Sequence, residues 1–389
     1  MSLYRKKKKT FYLIKVKSSE MYFQEKGLKG LLLAAFKLFS ITLYILLLLS
    51  YLAPFFHPDT IIFLPFVGLA YPIIILMALL TLILWYFISP KWSFITLLII
   101  LMGGNLHFRY FSFTFLEGEM KNNTLKIMSY NVRLFDLYNS NFESAKKTRN
   151  GIFELIREEN PDVLCLQEYF RQDDSNRFIT KDSLLSIMKS SYFFEKCSYN
   201  PHGKQHYGIV TFSKYPIINN GFVEITNPNE RSYNYCIYTD IVKGLDTFRI
   251  YNAHLQSIKL YDNNYEIKKE KMYSNEKMKY GYKKLNFAFS KRADQAKEIM
   301  NHANNSRYPT VICGDFNDTP LSYTYNTFRR KLIDAFTNTS FGVGSTYLGS
   351  LPAGRIDYIF HTKDLSSNNF QIIDKPLSDH CAISCIISI

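Results

Sequence analysis

The chain has 389 residues, 47% of them hydrophobic, and a formal net charge of +14. That length bounds it to one large domain with an appendage, or to two domains. Nine Lys or Arg against Glu20 and Glu25 leave +7 before residue 30, half of the excess, which reads as a membrane-topology signal and argues against a nucleic-acid patch there.

Residues 1–29 are therefore expected to be a polybasic cytoplasmic terminus, and 30–110 a membrane anchor. A spanning helix needs about 20 mostly apolar residues. Gly30 to Tyr51 supplies one, interrupted only by Lys37, which can snorkel or face a helix bundle. Thr60 to Phe87 supplies a second and Trp92 to Phe108 a shorter third, punctuated by Pro54, Pro58, Pro90 and Gly103-Gly104. Trp85, Tyr86 and Trp92 fit an interfacial aromatic belt, and Lys91 fits the inner side. The long apolar core followed by further spans argues against a cleavable signal peptide. With Lys37 the one charge in the first span, the spans offer little for an ion path, and anchoring is the simpler reading. Three crossings make this a multi-pass inner or plasma membrane protein with the rest of the chain on the extracytoplasmic side; a re-entrant third segment would return it to the cytoplasm.

Residues 111–124 read as a linker and 125–389 as a catalytic domain. Leu125 to Tyr130 alternates as a strand ending at Asn131, and a helix is expected from Lys146 to Glu159, stopped by Asn160-Pro161-Asp162. Val163 to Leu166 is a buried strand that delivers Glu168, with a second helix near Ser183 to Lys189 and a strand at Gly208 to Phe212. Tyr235 to Val242 and Thr247 to Ala253 form an expected hairpin through Lys243-Gly244. Pro309 to Cys313, Ile356 to Phe360 and Cys381 to Ile389 complete the strands, a mixture that argues for an α/β or α+β sandwich with its site on one edge. Cys165 and Cys313 read as small buried hydrophobes; the six cysteines hold no CxxC pair, and no disulfide is settled. Lys259 to Arg292 carries ten basic and four acidic residues with five tyrosines, either a solvated helical insertion or a basic arm for anionic lipid or nucleic acid.

Five short motifs stand at or just past strand ends: Ser129-Tyr130-Asn131-Val132, Leu166-Gln167-Glu168, Asn252-Ala253-His254-Leu255, Gly314-Asp315-Phe316-Asn317 and Ser378-Asp379-His380. Together they make a site of hard oxygen ligands with two histidines, suited to Mg²⁺ or Mn²⁺ and to hydrolysis of a phosphate ester. A cation neutralises the charge that develops on phosphate, and histidine supplies a base near neutral pKa. In order and at these separations, the motifs resemble the endonuclease/exonuclease/phosphatase superfamily, which includes pancreatic deoxyribonuclease, the abasic-site endonucleases, neutral sphingomyelinases and inositol-polyphosphate phosphatases. The likeness covers residues 125–389. It implies a four-layer α/β sandwich with two central mixed β-sheets, preceded here by an all-α transmembrane segment. It also implies roles: Glu168 as principal metal ligand supported by Asn131, with Asp379 completing the metal-side carboxylates. Asp315 would orient the attacking water, and Asn317 would donate to the scissile phosphate. His380 would be the general base or phosphate-polarising imidazole, oriented by Asp357, and His254 would contact the phosphate.

One departure concerns His254. Gln205 stands where pancreatic deoxyribonuclease carries a glutamate, so His254 is expected to lack a carboxylate partner. The expected enzyme is a membrane-anchored, metal-dependent, nuclease-like phosphodiesterase. A phospholipid-headgroup phosphodiesterase is the alternative, favoured by the tether and by the sphingomyelinase-like Asn252-Ala253-His254-Leu255-Gln256. A non-catalytic binding module carries less weight, since Glu168, Asp315 and His380 are all present.

Overall fold

A computed structural model describes residues 2–114, 123–139, 141–173, 179–200, 204–225, 233–258, 274–349 and 354–389. Residues 115–122 of the expected linker and 259–273 of the basic segment lie outside them. The chain forms two compact units, Met1–Leu49 with Ala70–Gly103, and Ser50–Leu69 with Gly104–Ile389.

In the first unit, helix α1 (Ser2–Leu52) continues from the polybasic terminus through the first apolar stretch. The expected second span is broken by a short helix α2 (Leu64–Leu69), which belongs to the second unit. Helix α3 (Tyr71–Ile88) supplies 18 residues, about 27 Å at 1.5 Å per residue. Helix α4 (Pro90–Met102) has only 13, about 20 Å against a hydrocarbon core of about 30 Å. Where three spans were expected, two helices, Gly27–Phe55 and Tyr71–Ile88, are long and apolar enough to cross a membrane. Buried Trp85 ties α3 to α1, donating to Ser40 Oγ at 3.0 Å and packing on Phe36 at 4.6 Å. Tyr44 and Thr96 join α1 to α4 through their hydroxyls. Lys37 lies 6.0 Å from the Trp92 ring.

The second unit adds helices α5 (Phe142–Glu159), α6 (Thr180–Met188), α7 (Ser274–Asn304), α8 (Tyr323–Arg329) and α9 (Ala335–Thr339). Its strands are β1 (Phe111–Phe113), β2 (Thr124–Asn131), β3 (Val163–Gln172), β4 (Tyr192–Asn200), β5 (Gln205–Ser213), β6 (Ile217–Val223) and β7 (Cys236–Lys243). They continue with β8 (Asp246–His254), β9 (Thr310–Asp315), β10 (Ile333–Asp334), β11 (Phe341–Val343), β12 (Asp357–His361), β13 (Ser366–Ile373) and β14 (Ala382–Ser388).

Two six-stranded sheets result, in the orders β13-β14-β2-β3-β5-β4 and β10-β12-β9-β8-β7-β6, while β1 pairs with β11. Both are mixed: β2 runs parallel to β3, and β8 parallel to β9. Alternation along β2 and β3 explains the layers. Leu125, Ile127, Val163 and Cys165 point between the sheets, where they meet Ile250, Val311, Cys313 and Ile359. Met128, Tyr130, Leu164 and Leu166 point the other way, against Ile152, Leu155 and Ile156 of α5 and Leu184 of α6. On the far side, Ala296, Ile299 and Met300 of α7 and Phe328 of α8 cover Tyr251, Ile312 and Phe360. Strands buried on both faces read as near-continuous apolar runs, and the four layers match the expected sandwich.

Local signals place the elements. Asn141 caps α5, accepting from the Glu143 and Ser144 amides, and Asn160 ends it in a left-handed conformation before Pro161. All six cysteines are free thiols, with Cys165, Cys313 and Cys385 in the inter-sheet core. Gly314 has φ +141, and a Cβ there would lie 1.9 Å from the Ala253 carbonyl oxygen, so only glycine lets β8 and β9 meet beside the site.

Candidate active site

The five motifs converge at one edge of the paired sheets. His254 and Asp315 end the parallel strands β8 and β9 as register partners, and Asp357 opens β12 directly opposite Asp315. From the other sheet come Asn131, at the end of β2, and Glu168, on β3. A register shift between Leu166 and Tyr169 puts a bulge there, and Glu168 takes φ +47. The extra residue breaks the strand's alternation and turns the Glu168 carboxylate to the rim. Past Asn131, four successive residues, Arg133 to Asp136, have positive φ, with Phe135 buried. Strain of this kind collects at functional sites.

Asp315 is the centre. Its Oδ2 accepts from Asn131 Nδ2 at 2.9 Å across the sheet interface and from Asn317 Nδ2 at 3.2 Å. Its Oδ1 accepts from the Asn317 amide at 2.9 Å. His254 Nε2 lies 3.6 Å and His380 Nε2 3.7 Å from Oδ2. Burial pushes the Asp315 carboxyl up, opposed by His380 and His254. Asp357 accepts from His380 Nδ1 at 3.0 Å. Burial works against charge on His380, but Asp357 and Asp315 outweigh it and hold the imidazolium up to about 10. Tyr347 closes on His380 edge-to-face at 5.2 Å.

Glu168 and Asp379 sit at the solvent side of this buried group, each about one-third exposed. Ser378 Oγ donates to the Asn131 carbonyl at 2.8 Å, fixing the Ser378-Asp379-His380 turn against β2. Arg133 Nε lies 4.0 Å from Asp379 Oδ2. Asn131 Oδ1 accepts from the Arg133 amide at 3.0 Å, which leaves it one acceptor lone pair.

All eight residues read from the sequence thus lie at this edge. The expectation that His254 lacks a carboxylate is corrected: Asp315 and Glu168 stand 3.6 and 4.0 Å from its Nε2. Gln205 is instead engaged with Tyr207 and Asn200. Two buried residues inside the motifs had no expected role. Gln167 Nε2 donates to Asn252 Oδ1 at 2.7 Å, and Asn252 Nδ2 donates to the Val210 carbonyl at 2.9 Å. They pin the two sheets together behind the site. Uncharged polar residues at the ends of otherwise apolar strands were the signal. Arg355, beside Asp357, turns away into a buried pair with Asp334 at 2.8 Å.

One buried group and two partly exposed carboxylates offer metal ligands. Asp315, Asp357 and His380 bring ligand atoms within 4.8 Å of one another, but His380 Nδ1 is taken by Asp357, and Asp315 Oδ2 by two amides. Glu168 and Asp379 each present a partly exposed carboxylate, a hard oxygen donor.

A family model described as the endonuclease/exonuclease/phosphatase family matches residues 128–380. The chain belongs to that family. Its members are hydrolases of phosphoester bonds and typically use divalent metals. A second model, a domain of unknown function (DUF8431), matches residues 32–110. No curated protein matches the chain. Among solved structures, an endonuclease/exonuclease/phosphatase from Bacteroides vulgatus is 17% identical, with 69% of this chain and 100% of that one covered at a TM-score of 0.52. A family protein from Leptotrichia buccalis C-1013-b is 17% identical, covering 68% and 100% at 0.50. One from Bacteroides thetaiotaomicron is 15% identical, covering 69% and 98% at 0.50. These likenesses show the fold.

If Asp357 orients His380, Asp357→Asn lowers kcat on a phosphate diester by about a hundredfold. KM should change less than threefold and the melting temperature little, and steady-state kinetics beside a thermal melt checks both.

Proposed function

We propose that this protein is a membrane-anchored, divalent-metal-dependent phosphodiesterase of nuclease-like type. The observation that carries the reading is the buried Asp315 carboxylate, held by Asn131 from the opposite sheet and flanked by His254 and the Asp357–His380 pair. Asp315 orients the attacking water and accepts its proton. The water oxygen bonds to phosphorus, and the ester oxygen leaves with its electron pair and is protonated by solvent. His380, held as a cation by Asp357, donates to a phosphate oxygen; His254 and Asn317 bind the others. Glu168, Asp379 and Asn131 would hold Mg²⁺ or Mn²⁺, which when bound neutralises charge on the phosphate. The oxygen-rich donor set at the open side of the buried group fits such a hard cation.

The Ser50–Leu69 segment bears on the side of the membrane. It packs on the catalytic unit: Asn326 Nδ2 donates to the Pro54 carbonyl at 2.8 Å, and Ser290 Oγ to Asp59 Oδ2 at 2.8 Å. His57 meets Asp294 at 3.2 Å, and Phe66 stacks on Tyr282 at 4.9 Å. A Cβ on Gly68 would lie 3.0 Å from the Leu321 carbonyl oxygen. This segment joins α1 to α3, and the chain rejoins the same unit at Gly104. A bilayer crossed by α1 and α3 then leaves both on one side only if α4 also crosses, its shortness met by local thinning. With the polybasic terminus inside, the catalytic unit is extracytoplasmic.

The full chain in detergent micelles should release p-nitrophenolate from bis(p-nitrophenyl) phosphate only with Mg²⁺ or Mn²⁺. Asp315→Asn should cut the rate at least about a hundredfold; equal rates in chelator or in the variant overturn the reading. Alkaline-phosphatase fusions ending at residues 62 and 120 should both be active, and fluorescent-protein fusions at both should be dark. A bright fusion at 120 puts the catalytic unit in the cytoplasm and overturns the topology.

A further inference from the structure

We propose that the cavity beside Glu168 and His254 is a nucleoside site, taking the sugar and base of a single unpaired nucleotide whose phosphate lies at Asp315. The proposal rests on the phosphodiesterase reading and names its substrate. The cavity is about 500 Å³, within the range of small-molecule sites. Since Glu168 and His254 line one end of it, a group esterified to phosphate at Asp315 has this cavity for a neighbour.

Away from Glu168 and His254, the described lining is aromatic and uncharged. Tyr138 follows the left-handed turn, Tyr199 and Tyr207 come from the β4–β5 hairpin, and Tyr233 precedes β7. Tyr207 is fixed from behind by Phe170 at 5.0 Å and by donation to Gln205 Oε1 at 2.7 Å. The Tyr233 ring stands edge-on to it at 6.3 Å. Ser198, Ser257, Asn200 and Asn234 complete the polar lining. Ser198 Oγ is shared with the Tyr235 hydroxyl, and Asn200 and Asn234 donate through Nδ2 to Gln205 and the Leu255 carbonyl. Their side-chain carbonyl oxygens, with two lone pairs each, are the acceptors for a ligand. None of these lining residues is a lysine or arginine, in a chain of net charge +14.

That chemistry selects among phosphodiesters. Duplex DNA is held through successive phosphates by lysine and arginine, which the described lining does not offer. A paired base is stacked within its duplex; an unpaired base has faces that stack on tyrosine whatever its sequence. Neutral amides and hydroxyls suit base edges and ribose hydroxyls. A quaternary ammonium headgroup would also use tyrosine faces, but it has no hydrogen-bonding group for the amides and hydroxyls to meet.

Three chromogenic esters test this on the full chain in detergent micelles with Mg²⁺: bis(p-nitrophenyl) phosphate, thymidine 5′-p-nitrophenyl phosphate and p-nitrophenyl phosphorylcholine. KM for the thymidine ester should be about tenfold below that of the bis ester. Tyr199→Ala and Tyr233→Ala, 53% and 49% exposed and so not holding the fold, should draw the two values together. Equal KM values, a ratio the variants do not change, or a preference for the phosphorylcholine ester overturns the proposal. Calorimetric binding of thymidine monophosphate needs no turnover. Binding weakened about tenfold by Tyr199→Ala supports the nucleoside site even where none of the esters is cleaved, an outcome that sinks only the phosphodiesterase reading. Absence of binding overturns the site.

Discussion

One buried carboxylate sets the terms for the rest of the second unit. Asp315 ends a central strand at the seam between two sheets, and a charge there is tolerated only if it is hydrogen-bonded and paired. Asn131 reaches it from the opposite sheet, Asn317 folds back on it twice, and two histidines flank it. Each partner fixes a chain segment. Asn131 locks the end of β2, Gly314 lets β9 approach β8 closely enough for His254, and Asp357, paired with Asp315 in register, carries His380 into place. The Gln167–Asn252 bridge holds the sheets in register behind them. Site geometry and sheet packing are therefore one problem, solved by the same polar seam.

Much of this was legible in the chain because strands deliver residues predictably. Continuous apolar runs such as Val163 to Leu166 marked strands buried on both faces, and the polar residues that ended them marked the rim. The α5 helix was readable from its apolar face and its Asn160-Pro161 stop. Strands β4, β6 and β13 were not: Ile217-Ile218-Asn219-Asn220-Gly221 has no alternation, and β4 mixes Phe, Glu, Lys and Cys on a half-buried edge. The bulge that aims Glu168 could not be seen either, because it depends on pairing with β5. The partners of His254 were misread for a related reason. A sequence offset pointed to Gln205, but the carboxylates come from strands adjacent in space.

The membrane-like segment shows the limit of hydropathy. Thr60 to Phe87 is predominantly apolar, yet Phe66 and Gly68 in its first third pack within the second unit, on Tyr282 and Leu321. Apolarity alone does not distinguish a residue facing lipid from one facing a protein surface. The tyrosines around the cavity make the same point: in sequence they are scattered from 138 to 233, and only the hairpin and the left-handed turn gather them.

In the function proposed above, the metal would bind at Glu168 and Asp379 and not on Asp315. Electron paramagnetic resonance of Mn²⁺ titrated into the full chain tests this directly. One tight site that is lost in Glu168→Gln and kept in His380→Ala is the predicted result. A site kept in Glu168→Gln and lost in His380→Ala would put the ion on the buried Asp315–Asp357–His380 group and contradict the account.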